Sequence, residues 1–84
     1  MIRLLIADDH PIVRHGLVQI LSREPDMQVI AEAGDSAQAL EAGQRADVDV
    51  AVLDLAMPGR GGLDVLRELK RVRPALPVLI LSMY

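Results

Sequence analysis

A doubly wound α/β fold, one parallel sheet with helices packed on its faces, is predicted from three observations. Four short apolar runs recur along the 84 residues. The segments between them show helical periodicity. Two of the runs stop at aspartates, Asp8-Asp9 after the first and Asp54 after the third. Short apolar runs ended by polar and turn residues read as buried strands of a parallel sheet. Strands that alternate with helices imply βαβ crossovers.

The run Ile2-Arg3-Leu4-Leu5-Ile6-Ala7 is the first strand, apolar on both faces apart from Arg3 and therefore central. A helix opens at Pro11, with Val13, Leu17, Ile20 and Leu21 at i, i+4, i+7 and i+8. Proline suits a first helical turn, and Asp9 or His10 is placed to cap the free N–H groups. Pro25 ends this helix. The second strand, 27–33, partly alternates, as expected nearer a sheet edge. Gly34 turns the chain, and Asp35 or Ser36 caps an alanine-rich helix running to about residue 45. The third strand covers 48–53 and is again apolar throughout. Residues 57–62 form a turn-rich loop, because proline and glycine do not continue a strand. A third helix spans about 63–73 with Leu66, Leu69 and Val72 on its apolar face, and Pro74 ends it. Pro77-Val78-Leu79-Ile80-Leu81 is a fourth apolar strand, followed by Ser82-Met83-Tyr84. The first and third strands are apolar at nearly every position, which predicts the order 2-1-3-4 with those two in the middle.

Composition narrows the function. A chain of 84 residues holds at most one domain, and with a single Tyr and no Phe or Trp its core must be aliphatic. The net charge of −3, with no basic stripe, speaks against direct nucleic-acid binding. With no cysteine, neither a disulfide nor a thiolate metal site is possible. The N-terminal apolar stretch is too short for a signal peptide, and no run reaches the length of a membrane span. A cytoplasmic protein without membrane association is the expectation.

Parallel neighbouring strands bring Asp8, Asp9 and Asp54 to one edge of the sheet, where open α/β sheets place their ligands. Three carboxylates crowded together repel one another unless a cation joins them, and a hard divalent ion such as Mg²⁺ is the natural occupant. Phosphoryl chemistry on an aspartate follows, with Asp54 as nucleophile. Plainer readings exist for each residue. One helix cap accounts for one of Asp8 and Asp9 but not both, and Asp54 is more than a turn aspartate given the Met57-Pro58-Gly59 that follows. His10 lies beside the cluster, but Mg²⁺ prefers oxygen, so an exposed or capping histidine is expected. His15 reads as surface. Arg67, Lys70, Arg71 and Arg73 make a basic, solvated end to the third helix, in keeping with the helix dipole. The glycines of 59–62 lack the lysine of a P-loop.

The segments Leu5-Ile6-Ala7-Asp8-Asp9-His10-Pro11, Leu53-Asp54-Leu55-Ala56-Met57-Pro58-Gly59 and Leu79-Ile80-Leu81-Ser82 occur in the order and spacing of a known family. Together they resemble the receiver domain of two-component response regulators, a flavodoxin-like (CheY-like) fold. The wording around Asp8-Asp9-His10-Pro11 is most like the NarL/FixJ subgroup, whose members usually carry a LuxR-type helix-turn-helix output domain. The resemblance takes in all of residues 1–84 as a partial receiver domain cut short after the fourth strand, without the fifth strand and last helices. It implies Asp54 as phosphoacceptor, Asp8 and Asp9 as Mg²⁺ ligands, the backbone carbonyl of Ala56 as a further ligand, and Ser82 as the hydroxyl that hydrogen-bonds the phosphoryl group. Tyr84 then falls where side chains of the family tune phosphoryl lifetime.

The family's fifth-strand lysine has no counterpart here, and Lys70 on the third helix is no substitute. The resemblance implies a switch rather than an enzyme, a sensor histidine kinase as partner, and DNA contact only through an output domain absent from this chain. An exposed fourth strand and first-helix face would favour a dimer or higher oligomer. The alternative is a truncated, signalling-incompetent receiver fragment that acts only in protein–protein association. A haloacid-dehalogenase-type phosphatase is set aside, because its Asp-x-Asp after the first strand is missing.

Overall fold

The computed structural model describes residues 1–57 and 61–81. In chain order its elements are β1 (Ile2–Ala7), α1 (Pro11–Ser22), β2 (Met27–Ala33), α2 (Ser36–Gly43), β3 (Val50–Asp54), α3 (Gly62–Val72) and β4 (Val78–Leu81). The four strands form one parallel sheet in the order β2-β1-β3-β4. The expected order therefore stands, with the two most apolar strands in the middle.

Side-chain alternation splits the sheet into two faces. Leu5, Ala7, Ala51 and Leu53 face α2 and α3, where Ala39, Val65, Leu69 and Leu76 complete a buried aliphatic cluster. Leu4, Ile6 and Val52 point the other way and meet α1 through Leu17, Val18 and Leu21. Two helices cover one face and one helix the other. The thinly covered face holds an apolar groove of about 240 Å³, lined by Leu4, Leu17, Leu21, Val52, Leu79 and Leu81 among others. No residue of α1 is fully buried.

Several boundaries and faces differ from the sequence expectation. β3 begins at Val50 rather than residue 48, because the Asp49 carboxylate stands in for a ladder carbonyl and accepts the Arg3 backbone N–H at 2.8 Å. The Arg3 guanidinium closes the pair, its Nε 3.1 Å from Asp49 Oδ2. These hydrogen bonds, from the side chain first and then the backbone N–H, hold the Asp49 carboxyl below the ordinary carboxylate range. α2 stops at Gly43; its N-terminus is capped by Asp35, whose carboxylate accepts Gln38 N–H at 2.8 Å. On α1, Ile20 is 60% exposed and Val18 packs inward instead. The helix is rotated so that Arg14 lies on its inner face.

On α3 the buried line is Gly62, Val65 and Leu69, while Val72 is exposed and Leu76 from the following turn fills that end of the core. The basic side chains at the end of α3 are not simply solvated. Arg73 donates to the carbonyls of Gly43, Arg45 and Val48, and Lys70 to those of Pro74 and Leu76. They tie the end of α3 to the α2–β3 connection and to the turn before β4, and satisfy carbonyls that no ladder reaches.

The turn after β3 depends on two glycines. Gly61 has φ +82°, a conformation costly for side chains. Gly62 N–H donates to Leu55 carbonyl oxygen at 3.1 Å, and a Cβ on Gly62 would collide with the Leu55 backbone. This close approach seats the start of α3 directly against the residues following Asp54. We expect Gly62→Ala to lower unfolding stability by about 1–3 kcal/mol in urea titrations. An unchanged midpoint would mean the close approach is not needed.

Candidate functional site

The parallel ladder builds the site. Ala7 is paired with Leu53, so the next residues, Asp8 and Asp54, emerge side by side at the carboxyl edge of the two central strands. Asp8 and Asp54 are each 1% exposed, and Asp9 and His10 follow on the link into α1. Each of Asp8, Asp9, His10 and Asp54 offers one ligand atom, and these atoms lie within 4.8 Å of one another. The structure thus brings together the three aspartates picked from the sequence and adds His10.

Local hydrogen bonds fix one oxygen of each buried carboxylate. Asp8 Oδ1 accepts the His10 backbone N–H at 2.8 Å, and Asp54 Oδ1 accepts the Ala56 N–H at 2.9 Å. Both are tight side-chain turns of the kind aspartate forms readily. The remaining oxygens, Asp8 Oδ2 and Asp54 Oδ2, together with Asp9 Oδ1, are buried and accept no hydrogen bond. A buried carboxylate oxygen without a partner is costly, and buried charges ordinarily pair or coordinate metals. An oxygen-seeking divalent cation fits this donor set, with Asp8, Asp9 and Asp54 able to hold it.

His10 is the N-cap residue of α1, but its side chain makes no capping hydrogen bond, contrary to the capping role expected for Asp9 or His10. Its ring is 56% exposed, and Nδ1 lies 3.1 Å from Asp9 Oδ1. The same atom shares a hydrogen bond with Asp8 Oδ1 at 3.2 Å and lies 4.0 Å from Asp54 Oδ2. His15 is exposed, as expected. Lys70 is bonded near the start of β4, at the opposite end of the sheet from Asp54. Ser82 and Tyr84, like Pro58 and Gly59 of the turn, lie outside the described residues.

The sequence reading missed Arg14. Its Nη1 donates to the Asp8 backbone carbonyl at 2.7 Å, and its Nε pairs with Glu32 Oε1 at 3.2 Å. It clamps the end of β1 from α1 and carries positive charge close to the acidic cluster. The signal was present: 14, 17, 18 and 21 form an i, i+3, i+4, i+7 stripe with the arginine at its head. A charged residue on an inner face reads as an error in the stripe until its carbonyl partner is known.

Residues 4–84 match the model of the response regulator receiver domain family. The nitrate/nitrite response regulator protein NarP of Escherichia coli is 44% identical over 80 residues, covering 95% of this chain. The DNA-binding transcriptional activator DevR/DosR of Mycobacterium tuberculosis is 40% identical over 84 residues, covering the whole chain. A crystal structure of a LuxR-family two-component response regulator from an Aurantimonas species superposes with a TM-score of 0.90 at 36% identity, over 98% of this chain and 59% of that one. The chain spans 37% and 39% of the lengths of NarP and DevR/DosR.

The orphaned oxygens give a direct test of the cation reading. Asp54→Asn should stabilise the ion-free chain by about 1–3 kcal/mol, since it removes a buried charge. Millimolar Mg²⁺ should raise the thermal midpoint of the unsubstituted protein and leave that of Asp54→Asn nearly unmoved. Equal Mg²⁺ shifts in the two proteins would exclude Asp54 from the site.

Proposed function

The chain belongs to the response regulator receiver domain family, and from that premise we propose that it is the phospho-accepting switch of a two-component pathway, with Asp54 as the acceptor. The observation that carries this reading is the unequal treatment of the Asp54 oxygens. Oδ1 is held by the Ala56 N–H, while Oδ2 is buried, unpartnered and turned toward Asp8, Asp9 and His10. One oxygen orients the group, and the other is free to react.

In the proposed step a carboxylate oxygen of Asp54 attacks the phosphorus of a phosphohistidine on a sensor histidine kinase, or of a small phosphodonor. The new O–P bond forms as the P–N bond of phosphohistidine, or the P–O bond of acetyl phosphate, breaks, and the imidazole or acetate leaves with the bonding electron pair. Asp8 and Asp9 would hold Mg²⁺ beside the acceptor, with the Ala56 carbonyl as a further oxygen ligand. When bound, the ion neutralises charge on the phosphoryl group and its transition state. Arg14 fixes the Asp8 main chain, which keeps the acidic pair aligned with Asp54. Ser82 supplies the hydroxyl that hydrogen-bonds the transferred group. The aspartyl phosphate biases a two-state element, and water later removes it, so the domain is a switch that assists its own modification. Its output is transcriptional, with DNA bound by a separate output domain rather than by these residues. Among the described residues no helix is long and apolar enough to cross a membrane, in keeping with a switch that meets its kinase in the cytoplasm.

Incubation with acetyl phosphate and Mg²⁺ tests the acceptor. Intact-mass spectrometry should show the gain of one phosphoryl group, abolished in Asp54→Ala. Labelling that survives in Asp54→Ala would move the acceptor elsewhere.

A second reading, association between copies, is favoured by the open face. β4 is an edge of the four-stranded sheet, Leu79 on it is 58% exposed, and it borders the apolar groove beside α1. An apolar edge strand is a template for pairing with another chain. The 84-residue polypeptide is therefore expected to form dimers or larger species in sedimentation at micromolar concentration. Leu79→Glu should shift the population toward monomer. A single monomeric species before substitution would refute this reading.

A further inference from the structure

We propose that Glu32, on the outer strand β2 and away from the crevice, is a positioning residue for phosphoryl transfer: through Arg14 it fixes the peptide plane that joins Asp8 to Asp9. The inference rests on the reading of Asp54 as acceptor with Mg²⁺ beside it, and it names what holds the acidic pair in line.

The Asp8 main chain is gripped on both sides. Its N–H donates to the Ala33 carbonyl at 3.0 Å, one residue beyond the last pair of the β1–β2 ladder. Its carbonyl also lies beyond the β1–β3 ladder, whose last pair is Ala7 with Leu53, and there it accepts Arg14 Nη1 at 2.7 Å. A peptide group is planar, so fixing that oxygen fixes the direction in which Asp9 leaves Asp8. The guanidinium on the Asp8 carbonyl therefore sets how the two carboxylates face Asp54.

The guanidinium is itself held from outside the crevice. Its Nε pairs with Glu32 Oε1 at 3.2 Å, so one planar fork spans α1, the end of β1 and β2. Gly34, two residues after Glu32, leaves room for it: a Cβ there would stand 3.0 Å from Arg14 Nη1. Gln38 Oε1 on α2 accepts the Gly34 N–H at 2.9 Å and keeps that turn in place. The Arg14 side chain is 18% exposed and that of Glu32 is 42% exposed. An ion pair this open to water adds little to folding, whereas a small misplacement of reacting groups costs much in rate. The use of this pair is directional.

Calorimetric titration with Mg²⁺, and the rate of labelling by acetyl phosphate at saturating Mg²⁺, test the proposal on the full chain. Arg14→Ala should weaken Mg²⁺ binding and slow labelling, each by about tenfold. Glu32→Ala should do the same by about threefold, with its urea midpoint nearly unchanged. Glu32→Gln keeps an oxygen acceptor and should recover most of that loss. Arg14→Lys keeps the charge but not the fork, and should recover little. Gly34→Ala crowds Arg14 Nη1 without removing a charge, and should slow labelling as Glu32→Ala does. The double variant Arg14→Ala, Glu32→Ala should be no slower than Arg14→Ala, because Glu32 acts through the arginine. The Glu32 and Gly34 variants retain Arg14 and decide the point even where Arg14→Ala unfolds. Full Mg²⁺ affinity and labelling rate in Glu32→Ala, or additive losses in the double variant, would overturn the role of Glu32 and leave Asp54 as acceptor. Absence of labelling in the unsubstituted protein would overturn the acceptor reading, and this inference with it.

Discussion

The pairing of β1 with β3 is the constraint on which the rest of this structure depends. Because Ala7 stands opposite Leu53, two carboxylates that are 46 residues apart in sequence leave the sheet as neighbours. A shift of one residue would turn the apolar side chains of one strand to the wrong face and separate the acids. The register is held where it matters. Aliphatic side chains pack both faces of the two central strands, and the Arg3–Asp49 pair locks the start of the ladder. The buried acids are thus a destabilising feature imposed by the packing around them. Regular ladders pair main chain with main chain, and they leave Asp8 Oδ2 and Asp54 Oδ2 with nothing to accept from.

Around that edge the chain spends its unusual residues. Gly61 and Gly62 let α3 start against Leu55, so the turn carrying Asp54 Oδ1 and Ala56 N–H is wedged between a strand end and a helix start. Arg14 reaches down from α1 to the Asp8 carbonyl, which binds the other side of the crevice to the first helix. The carboxylates are therefore positioned by short hydrogen bonds to main chain on both sides, the arrangement that gives a reactive group a fixed direction. His10 follows on the link into α1, its half-exposed ring held by the carboxylates, with Nδ1 3.2 Å from Asp8 Oδ1 and 3.1 Å from Asp9 Oδ1.

The two sheet faces differ in how they are packed. The face under α2 and α3 is filled by small and branched aliphatics at close range. Gly43 there allows the approach of Leu69. The face under α1 ends in a groove with an all-apolar lining and an edge strand beside it. That contrast follows from coverage by two helices on one face against one on the other.

Much of this was legible in the sequence alone. Apolar runs and their terminators gave the element order, the parallel sheet and the strand order, because burial on two faces leaves a continuous apolar signature in β1 and β3 and an alternating one in β2. The acids after the first and third strands marked the site for the same reason, since a charge that ends a buried run must sit at the sheet edge. Other features depended on contacts between residues far apart in the chain. Arg14 looked like a fault in a helical stripe until the Asp8 carbonyl supplied its partner. Arg73 looked solvated until three carbonyls from the α2–β3 connection surrounded it. Val72 and Ile20 fit the helical period, yet Leu76 and Val18 took the core positions, because periodicity fixes a face only to within a helix rotation and packing chooses the rotation. His10 shows the same limit: its backbone role as N-cap could be read from the sequence, but the direction of its ring could not, because that direction is set by three carboxylates that meet only in the folded chain.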